Sequence, residues 1–220
     1  MPAQFLNWLF VSDYGLVCRI GAGIAFLACL AGIELYRKGS QARRWKEYLF
    51  LLGVVAAAML YGIANDQITC SISWEYFYHH DDRTAEIIRA GGFADGRPDG
   101  SALRWAAFQL GMKATWTAGL IIGVAMLIAN NPHKRMPQLP YRRLIRIATI
   151  PWAAAASCAI LLAGWFHFTD FSETRPYMTV WGTHLGGYAG GGIGMLAAVV
   201  TIIVLRRSYI GTGSTDPRSD

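Results

Sequence analysis

Residues 180–205, VWGTHLGGYAGGGIGMLAAVVTIIVL, decide the fold. The run carries no Asp, Glu, Lys or Arg and exceeds the roughly 20 apolar residues that a helix needs to cross a bilayer core. Four further apolar runs precede it, at about 15–36, 48–64, 102–130 and 145–168. None alternates as a barrel strand does. A helix satisfies its own backbone hydrogen bonds in lipid, so helices are the remaining spanning solution. The sequence therefore predicts an all-α, polytopic transmembrane bundle of five spans. It forms one domain over 1–210, with a loop at 65–101 and a disordered tail at 211–220.

Composition agrees. Of 220 residues, 54% are hydrophobic and 15% charged, against about 25% charged in soluble domains. This excludes a disordered chain, a soluble enzyme core and a coiled coil. The net charge of +6 would ordinarily raise nucleic acid as a partner. Here the basic residues flank the apolar runs, so the expected partner is the lipid bilayer and not nucleic acid.

Lys and Arg also set the orientation. Arg37, Lys38, Arg43, Arg44 and Lys46 follow the first run, and Lys134, Arg135, Arg142, Arg143 and Arg146 follow the third. Arg206, Arg207 and Arg218 follow the fifth. The other side holds only Arg83, Arg89, Arg97, Arg104 and Arg175. The first set is expected in the cytoplasm, giving N-out and C-in. Most acidic residues fall outside, so the outer face is mildly acidic. Residues 1–14 lack the basic n-region of a signal peptide; residues 4–11 (QFLNWLFV) are expected in the outer interface. Cys18 and Cys70 lie on the outer side, where they could pair in an oxidising compartment, whereas Cys29 and Cys158 fall inside spans.

The outer loop has structure of its own. Residues 72–78 (ISWEYFY) suit an interface; Asp81 or Asp82 can cap a short helix ended by Gly91 and Gly92; residues 93–100 (FADGRPDG) are turn-rich; Ser101 is expected to cap the third span.

Gly182, Gly186, Gly190 and Gly194 repeat at four-residue spacing in the fifth run, widened by Gly187, Gly191 and Gly192. Gly111, Thr115, Gly119 and Gly123 repeat the device in the third. Small residues at this spacing let helix backbones approach closely. The stripe suits packing within the bundle, a self-association or subunit-docking face, or a wall for a rigid cofactor.

Polar residues at membrane depth point to function. Lys113 lies about 16 Å along the third span from Ala102 at 1.5 Å per residue, with Gln109 one turn above it. It either finds a buried partner, Asp66 being nearest in depth, or snorkels to an end. A larger cluster gathers at the outer ends: Asp66, Glu75, His79, His80, His167 and His184. Imidazole with carboxylate is a ligand set for iron, copper or zinc. Asp66, Glu75 and His184 are also candidate acid–base catalysts. The alternative is a hydrogen-bond network tying loop to helix ends. His133 is expected to be solvated. No H-E-x-x-H, G-x-S-x-G, phosphate loop or dinucleotide fingerprint occurs.

The stretch Tyr61-Gly62-Ile63-Ala64-Asn65-Asp66-Gln67-Ile68-Thr69, with Glu75-Tyr76-Phe77 and then His184 and Tyr188, resembles a pattern in an uncharacterised family of small bacterial multi-pass membrane proteins. The resemblance covers the second span, its loop and the last span. It implies a bacterial inner-membrane location and a shared outer polar site, without an activity. His79, His80 and Lys113 fall outside the shared pattern. Three readings stand at this point: a membrane enzyme or cofactor-binding protein working at the outer site, an accessory subunit docking through glycine faces in a homo-oligomer or complex, and an oligomeric transporter switched by Lys113.

Overall fold

The computed structural model describes residues 13–39, 44–132, 136–171 and 173–211, with side chains from residue 21 and up to residue 208. Residues 4–11, His133, the side chain of Cys18 and residues 212–220 lie outside the described residues. The chain is an all-α bundle. Its helices are α1 (Asp13–Lys38), α2 (Arg44–Thr69), α3 (Trp74–His80), α4 (Asp82–Gly91), α5 (Gly100–Ala129), α6 (Tyr141–Ile147), α7 (Thr149–Phe168) and α8 (Arg175–Gly211). A two-stranded hairpin, β1 (Phe93–Ala94) and β2 (Arg97–Pro98), separates α4 from α5. Among the described residues, four helical stretches are long and apolar enough to cross a membrane: Arg44–Thr69, Gly100–Ala129, Tyr141–Phe168 and Arg175–Ser208. Ile160, Leu161, Leu196 and Val204 stand exposed on them. Such apolar faces suit lipid rather than water. The third stretch comprises α6 and α7. Pro151 has no N–H to offer the carbonyl of Ile147, and the helix is interrupted at Ala148.

The chain divides into two compact units, Met1–Gly53 and Val54–Asp220. In the first, Glu34 near the end of α1 is buried. Its Oε2 accepts from the Trp45 backbone N–H at 3.0 Å and its Oε1 lies 3.7 Å from Lys38. Trp45 sits in the first turn of α2, whose N–H groups have no partner within the helix, so the carboxylate serves as their acceptor.

In the second unit, glycines seat helices in pairs. A Cβ on Gly62 of α2 would strike the Gly111 carbonyl of α5, and one on Gly111 would meet the Gly62 backbone. Gly119 of α5 abuts Ala58 and Val55 in the same way. On α8 all four stripe glycines face α7. Gly182 meets the Leu162 carbonyl, Gly186 the Cys158 carbonyl, Gly190 the Ala154 carbonyl and Gly194 the Cα of Pro151. That row is occupied by packing within the chain. Gly191 and Gly192 are different: a Cβ there would meet nothing within 4 Å.

Residues 65–101 fold into a cap. Phe77 and Ile88 are completely buried, packed with Ala106, Ala107, Val180 and Cys70. The aromatic run 72–78 thus turns Tyr76 and Phe77 inward instead of presenting them at an interface, because one face of this short helix packs on the ends of α5 and α8. Ser73 caps α3 and Asp81 caps α4. In the hairpin, Asp95 and Gly96 both adopt positive φ (52° and 74°), as the preferred two-residue Asp-Gly turn requires. The cap of α5 is Asp99 and not Ser101: its carboxylate accepts from the N–H groups of Ser101 and Ala102 and from the Ser101 hydroxyl. Gly100 and Ser101 are already helical, which moves the cap upstream.

At the opposite end of the unit, Arg206 is 3% exposed. It donates to the carbonyls of Pro137 (2.9 Å), Asn131 (2.6 Å), Met136 (2.9 Å) and Ala129. Asn130, fully buried, exchanges two hydrogen bonds with the Leu139 backbone. Together they staple the connection between α5 and α6.

Candidate functional site

On α2 the spacing of Tyr61, Asn65 and Asp66 follows the helical repeat, as does that of Trp181, His184 and Tyr188 on α8. These two faces, with α5, α7 and the end of α3, line a partly open cavity of 380 Å³. Its wall is mostly apolar, aromatic or small, and among the described residues no Lys or Arg lines it. At the cap end the polar centre is Asp66, 3% exposed.

Oδ1 of Asp66 lies 2.8 Å from Nε2 of His184 and accepts from Asn65 Nδ2 at 3.2 Å. The other imidazole nitrogen, Nδ1, is 2.9 Å from the Val180 carbonyl. A carbonyl only accepts, so Nδ1 carries a proton. The contact between Nε2 and Oδ1 then holds a second proton. The pair is either imidazolium with carboxylate or imidazole with carboxylic acid, and the shared proton lies on that axis in both states. Oδ2 of Asp66 has no hydrogen-bond partner among the described residues.

The cap orients the imidazole. Tyr76 stacks on His184 at 4.8 Å with planes 6° apart, and on His80 at 4.8 Å and 15°. Phe77 meets His184 edge-on at 6.2 Å. Burial, reinforced by the Asp66 charge, pushes the Tyr76 phenol above its ordinary pKa, so it stays a neutral hydroxyl. Chemically, the arrangement offers an apolar chamber with one carboxylate acceptor backed by a proton-sharing imidazole.

The other candidates are placed elsewhere. Glu75 accepts from the Ser73 hydroxyl at 2.8 Å, supporting the start of α3. His79 is exposed, edge-on to Tyr78. His80 lines the cavity rim but reaches Asp66 only through the Tyr76 stack. His167 is exposed, with Nδ1 3.0 Å from the Thr179 hydroxyl; that hydroxyl already donates to Arg175, so His167 is the donor. Among the described residues, no group of three or more His, Cys, Asp or Glu is placed to hold a metal ion. Asp66, Glu75, His79, His80, His167 and His184 thus share one end of the bundle without forming one ligand set. Lys113 does not reach Asp66. Its Nζ lies 3.9 Å from Oδ1 of Asp81, and both side chains are partly exposed. Asp81 is brought there because its other oxygen caps α4 through Thr84. Gln109 is half-buried one turn above. Cys70 is a free thiol donating to the Gln67 carbonyl at 3.4 Å.

Sequence reasoning gave Asp66 and His184 as candidate site residues, whereas Tyr61 and Tyr76 entered only as positions of the resemblance and without a role. The signal was present: Tyr61 and Asn65 sit one turn apart on the face that carries Asp66, and Tyr76 and His80 are four apart on α3. No family model matches the chain, and no curated protein or solved structure matches it.

Proposed function

We propose that this chain is a five-span protein of the bacterial cytoplasmic membrane, N-out and C-in, whose cavity takes a neutral amphiphile from the bilayer and holds it at the Asp66–His184 pair. The observation that carries the reading is the pair itself, a buried acid and base at the wall of an otherwise apolar cavity between helices long enough to span. A cavity with no Lys or Arg among its described lining residues offers little to a phosphate headgroup. A tail-bearing molecule with a hydrogen-bonding, uncharged head fits both the apolar wall and the single polar centre. The proton shared by Asp66 and His184 makes acid–base chemistry on that head available.

The distribution of Lys and Arg supports the orientation of the four apolar stretches, with the C-terminus inside; N-out follows when α1 crosses as a fifth span. At 26 residues, α1 has the length to add a fifth span. The location is what the resemblance implies, and five of its residues, Tyr61, Asp66, Tyr76, His184 and Tyr188, line the same cavity, which supports a site there. The test is a mass-spectrometric census of organic-extractable molecules that co-purify with the wild type and with the Asp66→Leu/His184→Leu variant. A neutral lipid should be enriched over bulk membrane in the wild type and lost in the variant. Identical extracts from the two would sink the reading.

A further inference from the structure

We infer that the cavity binds the hydroquinone form of an isoprenoid quinone, and binds it in preference to the oxidised quinone. This rests on the neutral-amphiphile reading and narrows it to one ligand class.

The polarity of the centre selects the reduced form. With Nδ1 of His184 committed to Val180 and Nε2 committed to Oδ1, the imidazole has no nitrogen left for an occupant. Oδ2 of Asp66 is the remaining atom. Because the shared proton lies between Oδ1 and Nε2 in both states of the pair, Oδ2 is an acceptor in both. An acceptor selects a hydroxyl, which a hydroquinone presents and a quinone carbonyl does not. Leaving Oδ2 without a donor in a 3%-exposed residue is unfavourable, so the discrimination has a physical source.

The shape of the wall selects a flat ring. A glycine inside a helix is less favourable than alanine and needs a compensating reason. Gly182, Gly186, Gly190 and Gly194 have theirs in α7. Gly191 and Gly192 do not: both line the cavity, and a Cβ on either would touch nothing. One turn before Gly191, a Cβ on Gly187 would meet only the Tyr61 side chain, 3.3 Å from its hydroxyl. At these three positions the wall carries no side chain, which leaves room for a planar ring to lie close to the helix. Aromatic side chains, Tyr61 and Trp152 at 6.3 Å from each other, furnish further surface for stacking. A flexible diacyl headgroup has no use for such a wall.

The experiment uses the full chain in nanodiscs. Decylubiquinol under reducing conditions, decylubiquinone and dioleoylglycerol are titrated separately, read by quenching of tryptophan fluorescence for the quinoids and by shift in unfolding temperature for all three. The expected result is decylubiquinol binding tighter than decylubiquinone by about tenfold, the worth of one hydrogen bond to a carboxylate, with Gly191→Leu abolishing the binding. Gly191→Leu fills open space, so its folding is checked by an unfolding temperature no lower than the wild type's. Asp66→Asn is the second variant and should remove the preference for the reduced form. Equal binding of the two quinoids, or unaltered binding by a folded Gly191→Leu, would overturn the inference. Binding of dioleoylglycerol without decylubiquinol would overturn it too, while leaving the neutral-amphiphile reading standing. Binding of none of the three, with no lipid co-purifying, would remove both.

Discussion

Nε2 of His184 stands 2.8 Å from Oδ1 of Asp66 across 118 residues of sequence. The contact joins α2 to α8, the two helices that contribute most of the polar wall of the cavity. It is held from above by Tyr76, which stacks on the imidazole, and from the side by the Val180 carbonyl, which fixes the ring nitrogen that carries the proton. Position, orientation and tautomer are all set by neighbours.

A coupling energy between these residues is the first expected outcome. Asp66→Leu and His184→Leu each leave the other member of the buried pair unsatisfied, whereas the double variant removes both members. The double-mutant cycle, read from unfolding in detergent, should return about 2 kcal/mol of coupling, as for hydrogen bonds to charged groups. Strict additivity would show that the pair does not form.

Much of the fold was legible and the site only partly so. Each apolar run falls within a helical stretch because a backbone in lipid has few other options, and that rule needs no tertiary information. Within the cap, residues 72–78 read by sequence as an interfacial run. Its short helices bury Phe77 and Ile88 against α5 and α8, and a seven-residue amphipathic helix looks alike whether its apolar face meets lipid or protein. Asp66 and His184 stood out as polar residues near span ends, but so did Glu75, His79 and His167. Only the three-dimensional arrangement shows that Glu75 is taken by Ser73 and His167 by Thr179. Arg206 was indistinguishable from Arg207 in a basic tail; its four carbonyl partners lie about 70 residues upstream.

The glycine stripe makes a second prediction. Gly186→Leu would drive a side chain into the Cys158 backbone of the same chain. It should destabilise the isolated protein by about 1–3 kcal/mol, as overpacking does. Gly191→Ala should leave stability unchanged or raise it by up to about 1 kcal/mol. If Gly186→Leu folds normally and only dissociates an oligomer, the intramolecular assignment fails.

Arg206 should behave as a clamp. Its guanidinium serves four carbonyls at once, a geometry that a lysine ammonium, with three donors at one point, cannot copy. Arg206→Lys should therefore not rescue Arg206→Leu fully. Both variants should speed hydrogen exchange at the Leu139 amide, which bonds to Asn130 Oδ1, while amides near Asp66 keep wild-type rates. Unchanged exchange at Leu139 would contradict the clamp.

Acid should weaken the start of α5. The Asp99 carboxyl is held below its ordinary pKa, first by the Ser101 hydroxyl and then by the Ala102 and Ser101 backbone N–H groups. A folded-state pKa below the unfolded one means that the stabilisation is present above the unfolded value, about 3.9, and is lost as pH falls through the folded value. Asp99→Ala should lower the unfolding temperature at pH 7, and the gap from wild type should close as pH drops below about 4. A gap that stays constant into that range would show that the capping carboxylate does not contribute through its charge.

The orientation yields the last prediction. Glu86 on α4 and Arg207 near the end of α8 are both exposed and lie toward opposite ends of the bundle by sequence. Each is replaced by cysteine in a chain whose Cys18, Cys29, Cys70 and Cys158 are serine. With N-out and C-in, a membrane-impermeant maleimide should label Glu86→Cys in intact cells and Arg207→Cys only after lysis. Native Cys70 is a poor reporter of the same question: it is buried, and burial, opposed in part by Arg104, pushes its thiol above the ordinary value, so little of the reactive thiolate is present at neutral pH. The reverse labelling pattern would turn the bundle over and put the Asp66–His184 end of the cavity on the cytoplasmic side.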